Sequence, residues 1–527
     1  MAQQDDGSGR APVVIVRPTT SVTSGVAVTQ KLVGAAVAFG DILRRTFGPN
    51  GLDKMMYKTN GENAITNDGA KIVAELLVKH PAAKAFVQLA ESQENACGDG
   101  VTGCLLFASE LMKEAGRLLE RGVHPLVLIE AYQESMAQTL DILDKRSKME
   151  IDSDSLHSIA KTAMVGKSAE AGGDALAQLL VECMTTIQSS GRPVRAENVR
   201  MTKRGHDSLQ ETRLIKGVII DKKFDSERTP KISQPSKVLA LTCPLTIQKT
   251  KRDAEIEIER PEQMVAFLDA EEKLIEEKFN LLKQSGANLI FTSKEVDERI
   301  QHACNNDEIL LVGMMEEDGI EDIAAATGAT LINHLDDVTA ESLGLVQSAL
   351  VDVSEHEDGR RTRLIVDVGV NSGLVTIDVG GGQGAAVEEY IRAMYDALRT
   401  LESVLQHPGT LLGGGSFHIA AALHLREQAE AISGRQRLAI EAFARALETI
   451  PSTLALNAGE DQIDTLLQLR AAHRNHSDQF GVCKNGRIGE IQDVLLSSHT
   501  VSHALQAAVE TASGLLRVDQ VISSRGD

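Results

Sequence analysis

The sequence predicts a multidomain α and α/β protein, helical toward both ends and alternating between strand and helix in its middle. Three observations carry this. The chain has 527 residues, enough for several domains with cores of their own. Apolar residues recur at helical spacing at Leu105, Ala108, Leu111, Met112, Ala115, Leu118 and Leu119. Between Leu289 and Ile332, short apolar runs alternate with helical segments.

In chain order, Ala83, Phe86, Val87 and Ala90 give a first helical face, which ends before Gly98-Asp99-Gly100. Val101 opens the next helix, which stops at Gly122 with His124-Pro125 just beyond. Pro261, a good first helical residue, opens a long helix that runs to about Gly286. Met264, Phe267, Leu268, Leu274, Ile275, Phe279 and Leu282 form its apolar stripe, whose C-terminal half is expected to pack on the α/β unit. Leu289-Ile290-Phe291 reads as a buried strand, followed by a helix over 297–304 and a strand over 309–312. A helix over 320–327 and a strand over 330–332 complete the alternation. Gly380-Gly381-Gly382 and Gly413-Gly414-Gly415 read as turns or linkers.

Composition removes several functional classes. The chain carries 54 basic and 75 acidic residues, a formal charge of −21, which opposes non-specific nucleic-acid binding. It has no Trp, so a base-stacking surface is not expected. The six cysteines show no CxxC pair and read as reduced, mostly buried thiols. Met1 to Gly9 lacks the apolar core of a signal peptide, and no apolar run reaches the length of a membrane span. The expected setting is cytoplasmic, without membrane or nucleic-acid partners. In that setting Asn475-His476-Ser477 and Arg525-Gly526-Asp527 are chance matches to glycosylation and adhesion motifs.

The chemistry concentrates near the N-terminus. Thr66-Asn67-Asp68-Gly69 and Gly98-Asp99-Gly100-Val101-Thr102 are glycine-punctuated acidic loops, and Thr46-Phe47-Gly48-Pro49-Asn50-Gly51 is a third turn just upstream. Each alone is usually an ordinary turn. Together they supply what a nucleoside triphosphate needs: N–H groups that approach phosphate and a carboxylate to hold magnesium. Asp99 is the expected magnesium ligand, with Gly100, Val101 and Thr102 as N–H donors and Thr102 as a hydroxyl. Phe47, Gly48 and Pro49 would form the opposite wall, and Asp68 would face the γ-phosphate or its attacking water.

The same segments carry a family resemblance. Residues 46–56, Thr66 to Ala70 and His80-Pro81-Ala82-Ala83-Lys84 are similar to the equatorial signatures of group II chaperonins, the archaeal thermosomes and eukaryotic CCT subunits. Ile450 to Gly459, Asp464-Thr465-Leu466, Leu469 to His473 and Leu515 to Asp519 continue it. Leu214 to Asp221 and Cys243-Pro244-Leu245 look like the family's apical domain. The chain is most similar to the archaeal type.

The resemblance implies a nested chaperonin fold. A mainly helical equatorial domain is expected from 1–149 and 406–527, and a small α/β intermediate domain from 150–212 and 377–405. An α/β apical domain would span 213–376, with a helical lid protrusion over about 245–275. The glycine run at 380–382 would be a hinge. The resemblance also implies ATP and Mg2+ as cofactors. Asp396 would be the hydrolytic carboxylate, brought to the site by closure; alone it reads as an acidic residue on a solvated helix face. Lys167 would sense the γ-phosphate, Gly414 and Gly415 would pack on the ribose side, and Gly103 would belong to the phosphate loop. The implied partners are unfolded polypeptides and other copies of the chain, with paralogous subunits as a further option, in a double ring.

Several residues depart from the family pattern. Val101 and Gly103 remove two hydroxyls, Lys71 stands where Thr is usual, and Gly380 replaces a hinge Arg. Losing one hydroxyl contact costs about 1 kcal/mol. ATP is therefore expected to bind and to be hydrolysed slowly, with Val101→Thr raising turnover. The alternative is a chaperonin-like structural subunit of a mixed ring with weak or no ATPase. A metabolic kinase is disfavoured, because the chain has no Walker A sequence or kinase loop set.

Overall fold

Prolines and glycines place the helix boundaries in the computed structural model, which describes residues 20–57, 63–76, 78, 80–204, 208–222, 230–247, 261–356, 359–381, 384–475 and 479–524. Residues 248–260 of the expected lid protrusion lie outside the described residues, as do Met1 to Gly9, Gly382, His476-Ser477 and Arg525 to Asp527. The chain forms two units, one from 1–149 with 409–527 and one from 150–408.

The first unit begins with β1 (Thr20–Ser24), α1 (Val26–Arg44) and the hairpin of β2 (Lys54–Tyr57) and β3 (Asn63–Thr66). Then come α2 (Gly69–Glu75), α3 (Pro81–Cys97), α4 (Val101–Glu120) and α5 (Pro125–Arg146). Both α3 and α5 start on a His-Pro pair. Proline fits the first helical turn because its missing N–H has no intrahelical partner there. The Nδ1 atoms of His80 and His124 accept the N–H groups of Ala82 and Leu126 at 3.3 and 3.2 Å.

The second unit opens with α6 (Ser153–Met164), α7 (Gly173–Ser189), β4 (Val199–Lys203), β5 (Arg213–Ile215) and β6 (Gly217–Asp221). Its alternating part runs β7 (Ser236–Leu241), α8 (Pro261–Gln284), β8 (Leu289–Thr292), α9 (Glu298–Asn306), β9 (Leu310–Val312), α10 (Glu317–Thr327) and β10 (Leu331–Ile332). It closes with β11 (Gly344–Val346), β12 (Ser348–His356), β13 (Gly359–Asp367), β14 (Val375–Val379) and α11 (Ala385–Gln406).

The chain returns to the first unit through β15 (Thr410–Leu412), α12 (Ser416–Glu430), α13 (Arg435–Leu447), α14 (Thr449–Asn457) and α15 (Gln462–Asn475). Short strands β16 (Phe480–Val482), β17 (Ile488–Glu490) and β18 (Leu495–Ser497) precede α16 (Ser498–Leu516) and β19 (Gln520–Ser524). β19 pairs antiparallel with β1, from Thr20 opposite Ser524 to Ser24 opposite Gln520. All six cysteines are free thiols, and Cys97, Cys104, Cys183 and Cys304 are buried, as their spacing suggested.

Helix α4 is the axis of the first unit. Its apolar residues from Val101 to Leu118 are buried, and α1, α3, α13 and α16 pack around it. Two carboxylates on it are also buried, and each is paired, because an unpaired buried charge is costly. Glu110 meets Lys113 at 2.8 Å and Arg44 at 3.4 Å, and Glu114 meets Arg445 at 2.6 Å.

In the second unit the alternating run builds a parallel sheet in the order β10, β7, β8, β9, with β11 antiparallel on β7. The stripe on α8 divides. Ile275, Phe279 and Leu282 pack against this sheet's core, whereas Met264, Phe267, Leu268 and Leu274 are exposed. The expectation of packing therefore holds for the C-terminal half. Antiparallel β12, β13 and β6 make a second sheet, and β4, β14 and β5 a third.

An ion network ties the second sheet to the third. Asp378 on β14 is fully buried and takes a bidentate contact from Arg363 on β13, at 2.7 and 3.1 Å. Arg213 on β5 reaches Asp378 at 3.1 Å and Asp352 on β12 at 3.1 Å. Removing Asp378 would leave the buried Arg363 guanidinium without its main counter-charge. Asp378→Ala is expected to cost about 3–5 kcal/mol, read from chemical denaturation of the purified protein.

Candidate functional site

Four turns far apart in sequence gather around the start of α4. The Gly98-Asp99-Gly100 loop joins α3 to α4, with Gly98 and Gly100 both left-handed at φ 67° and 81°. Glycine adopts that backbone without strain, which lets the chain turn sharply between the two helices. Gly100 is the N-cap of α4 and has no side chain with which to cap it, so the helix presents its first N–H groups at this end.

Two of the other turns lie directly against this start. Gly69, the first residue of α2, backs onto Thr102, so closely that a methyl group would overlap the threonine hydroxyl. Asp68 caps α2, its Oδ1 accepting the Ala70 N–H at 2.9 Å, and its own N–H donates to Thr66 Oγ1 at 3.1 Å. The Phe47 ring lies 3.4 Å from the position of a Cβ on Gly103. Gly48, in the same turn as Phe47 and Pro49, packs on Leu454 of α14.

Helix α14 links the fourth turn to the rest. Gly414 and Gly415 lie between β15 and α12, and Gly415 (φ 76°) packs on Pro451 so tightly that a Cβ would come within 2.6 Å. Ile450, the residue before, reaches to 3.9 Å from the Cβ position of Gly103. Asn457 at the end of α14 donates to the carbonyls of Arg44 and Phe47 at 2.8 and 2.7 Å. In sequence this anchoring helix is visible only as part of the Ile450 to Gly459 motif. Nothing in its composition marks it as the piece that joins two of the turns.

Family membership follows from the match of the whole chain. The sequence profile of the TCP-1/cpn60 chaperonin family covers residues 39–525. The chain belongs to the TCP-1/cpn60 chaperonin family. The chaperonin is 34% identical over 519 residues to thermosome subunit beta of Methanothermobacter thermautotrophicus, covering 98% of this chain and 95% of that protein. It is 35% identical over 523 residues to thermosome subunit beta of Archaeoglobus fulgidus, with the same two coverages, 98% and 95%. Against thermosome subunit alpha of Thermoplasma acidophilum it is 34% identical over 524 residues, again covering 98% and 95%. It is a group II chaperonin, of the class of ATP-dependent chaperones that form double rings.

The remaining sequence-predicted residues of this chaperonin lie in its second unit, where they form a pair. Lys167 follows α6, and its Nζ donates to Asp396 Oδ2 on α11 at 2.9 Å. Asp396 is buried, with 5% of its surface exposed, so the reading of a solvated helix face is corrected. The reason is packing: α11 lies on α6 and α7, and the face that carries Asp396 also carries buried Ala393, Ala397 and Thr400.

Val101, at the start of α4, is buried as well. The residue as a whole is 4% exposed, and its side chain belongs to the helical core. A hydroxyl there would need a partner inside the core, and the expected gain from Val101→Thr loses its basis.

The donor set fits a magnesium nucleotide. The first turn of α4 supplies N–H groups, and Asp99 and Asp68 stand half-buried beside it. Among the described residues no group of three His, Cys, Asp or Glu side chains could hold a metal ion alone. Magnesium is suited to such a place, since it is commonly held by one or two carboxylates together with substrate phosphates. Among the same residues no helix is long and apolar enough to cross a membrane.

Gly415→Ala is expected to displace α12 from Pro451. The overlap and the left-handed backbone together should cost about 2–4 kcal/mol. Nucleotide affinity should fall with it, and thermal melting with and without magnesium–ADP measures both effects.

Proposed function

We propose that this chaperonin subunit binds magnesium–ATP at the start of α4 and hydrolyses it to drive enclosure and folding of unfolded polypeptides. The observation that carries the reading is the open N-terminus of a buried helix, with Asp99 before it and the Asp68 turn packed against its first residues. Gly100, Val101 and Thr102 would donate N–H groups to phosphate, and Asp99 would hold Mg2+. Asp68 would orient the attacking water or the γ-phosphate. Phe47, Gly48, Pro49 and Gly103 would line one wall, and Gly414 and Gly415 the ribose side.

Asp396 is proposed as the carboxylate that accepts the water's proton, with Lys167 as its charge partner and γ-phosphate sensor. We further propose equatorial, intermediate and apical domains with the boundaries expected from sequence, a lid around 245–275, and a cytoplasmic setting. The exposed row Met264, Phe267, Leu268 and Leu274 on α8 suits contact with apolar polypeptide segments.

Assembly into rings is supported by the β2–β3 hairpin. A two-stranded hairpin is marginal by itself, and among the described residues β2 and β3 pair only with each other as strands. Met55 and Tyr57 on it are 72% and 77% exposed, as would suit a surface covered by a second copy of the chain.

Two experiments test these proposals. Asp396→Ala should lower steady-state phosphate release by about a hundredfold or more while magnesium–ADP still binds; normal turnover would remove Asp396 from the mechanism. Replacing Met55 and Tyr57 together with Glu should shift the particle from ring to single subunit in electron micrographs and sedimentation. Unchanged rings would show that the hairpin is not an assembly contact.

A further inference from the structure

The Asp99 loop is held from behind by a glutamine that no loop motif includes. Gln93 lies on α3, 6 positions before Asp99, and is fully buried. Its Nε2 donates to the carbonyl of Asp99 at 3.0 Å and to the carbonyl of Thr500 at 3.3 Å. Its Oε1 faces His503 Nδ1 on α16 at 2.7 Å. Thr500, in the first turn of α16, also packs on the loop, since its Cγ2 lies 2.9 Å from the position of a Cβ on Gly100.

These contacts fix each group's orientation. A carbonyl oxygen only accepts, so two carbonyls at one end of Gln93 place the NH2 group there. The oxygen end then faces His503, which must supply a proton from Nδ1. Desolvation lowers the His503 pKa and favours the neutral ring, and a proton on Nδ1 is the form that satisfies Gln93. His499 and Glu510 stand near this ring on α16.

The consequence reaches the front of the loop through one peptide unit. The Asp99 carbonyl and the Gly100 N–H belong to the same peptide, and in a trans peptide they point in opposite directions. Drawing the carbonyl inward to Gln93 turns the Gly100 N–H away from the core, toward the side where α4 presents its first N–H groups. We infer that Gln93 and His503 are positioning residues, a relay that aims the Gly100 N–H and sets the Asp99 carboxylate for the magnesium–nucleotide. This rests on the reading of Asp99 and Gly100 as ligands. Neither Gln93 nor His503 touches the nucleotide, and the relay acts on binding rather than on the hydrolytic step.

The test uses the full-length assembled protein and magnesium–ADP as the probe, with binding followed by titration calorimetry and turnover by phosphate release. His503→Leu leaves the Gln93 oxygen unsatisfied and frees the amide to turn over. Gln93→Glu replaces the donor by an acceptor facing two carbonyls. Both variants should weaken magnesium–ADP binding by about tenfold and raise KM for ATP in parallel. Their kcat at saturating ATP should stay within about twofold of the parent.

His503→Gln brings an NH2 donor to the same place and should restore affinity to within about threefold. A structural defect of α16 would not be rescued in this way. Parent-like binding in His503→Leu, or equal loss in His503→Leu and His503→Gln, overturns the relay; this pair decides even where Gln93→Glu fails to fold. Asp99→Ala separates the two levels. Lost binding in Asp99→Ala with parent-like binding in His503→Leu refutes only the relay, whereas intact binding in Asp99→Ala refutes the site itself.

Discussion

Burial of α4 along nearly its whole length is the constraint on which the first unit depends. A helix packed on several sides has one position and one register, so its N-terminal N–H groups are delivered to a fixed place. Two buried glutamates show how tightly this is specified, since each has to find its cation inside the helical layer. Because α1, α3, α13 and α16 all pack on α4, the turns that follow α1 and α3 reach its start without long connections. The polar site is therefore a by-product of where an apolar helix must end.

Around that end, the seams are closed by backbone rather than by interlocking side chains. Gly69 against Thr102, Gly103 against Phe47, and Gly415 against Pro451 bring main chain to within contact distance at each one. A side chain at Gly69 or Gly415 would push two elements apart. Two departures from the family pattern fit this packing. Gly103 lies in ordinary contact with the Phe47 ring, and Val101 gives its side chain to the core while its N–H remains at the helix start. Both changes remove hydroxyls and leave the N–H donors in place.

The second unit relies on buried charge in two places. Asp378 with Arg363 and Arg213 joins two sheets near the Gly380-Gly381 turn. Lys167 and Asp396 form the other pair, between the segment after α6 and the middle of α11. Each pair is satisfied within its own unit, which lets a charged group sit in a low-dielectric setting without forcing its neutralisation.

Local signals are enough to lay out the elements of this chaperonin. His-Pro starts, glycine stops and apolar periodicity place α3, α4, α5, α8 and the strands from 289 to 332 close to where they lie, because those signals act over a few residues. The motifs at 46–51, 66–69 and 98–102 likewise mark turns that meet at the start of α4. Which faces turn inward is settled by packing alone. The α8 stripe is uniform in sequence, yet half of it is exposed, because burial depends on what stands opposite. Asp396 departs from expectation for the same reason: a residue's exposure is a property of its neighbours, and those come from distant parts of the chain. Gln93 and His503, 410 positions apart, meet because α3 and α16 pack side by side, and no local pattern records that contact.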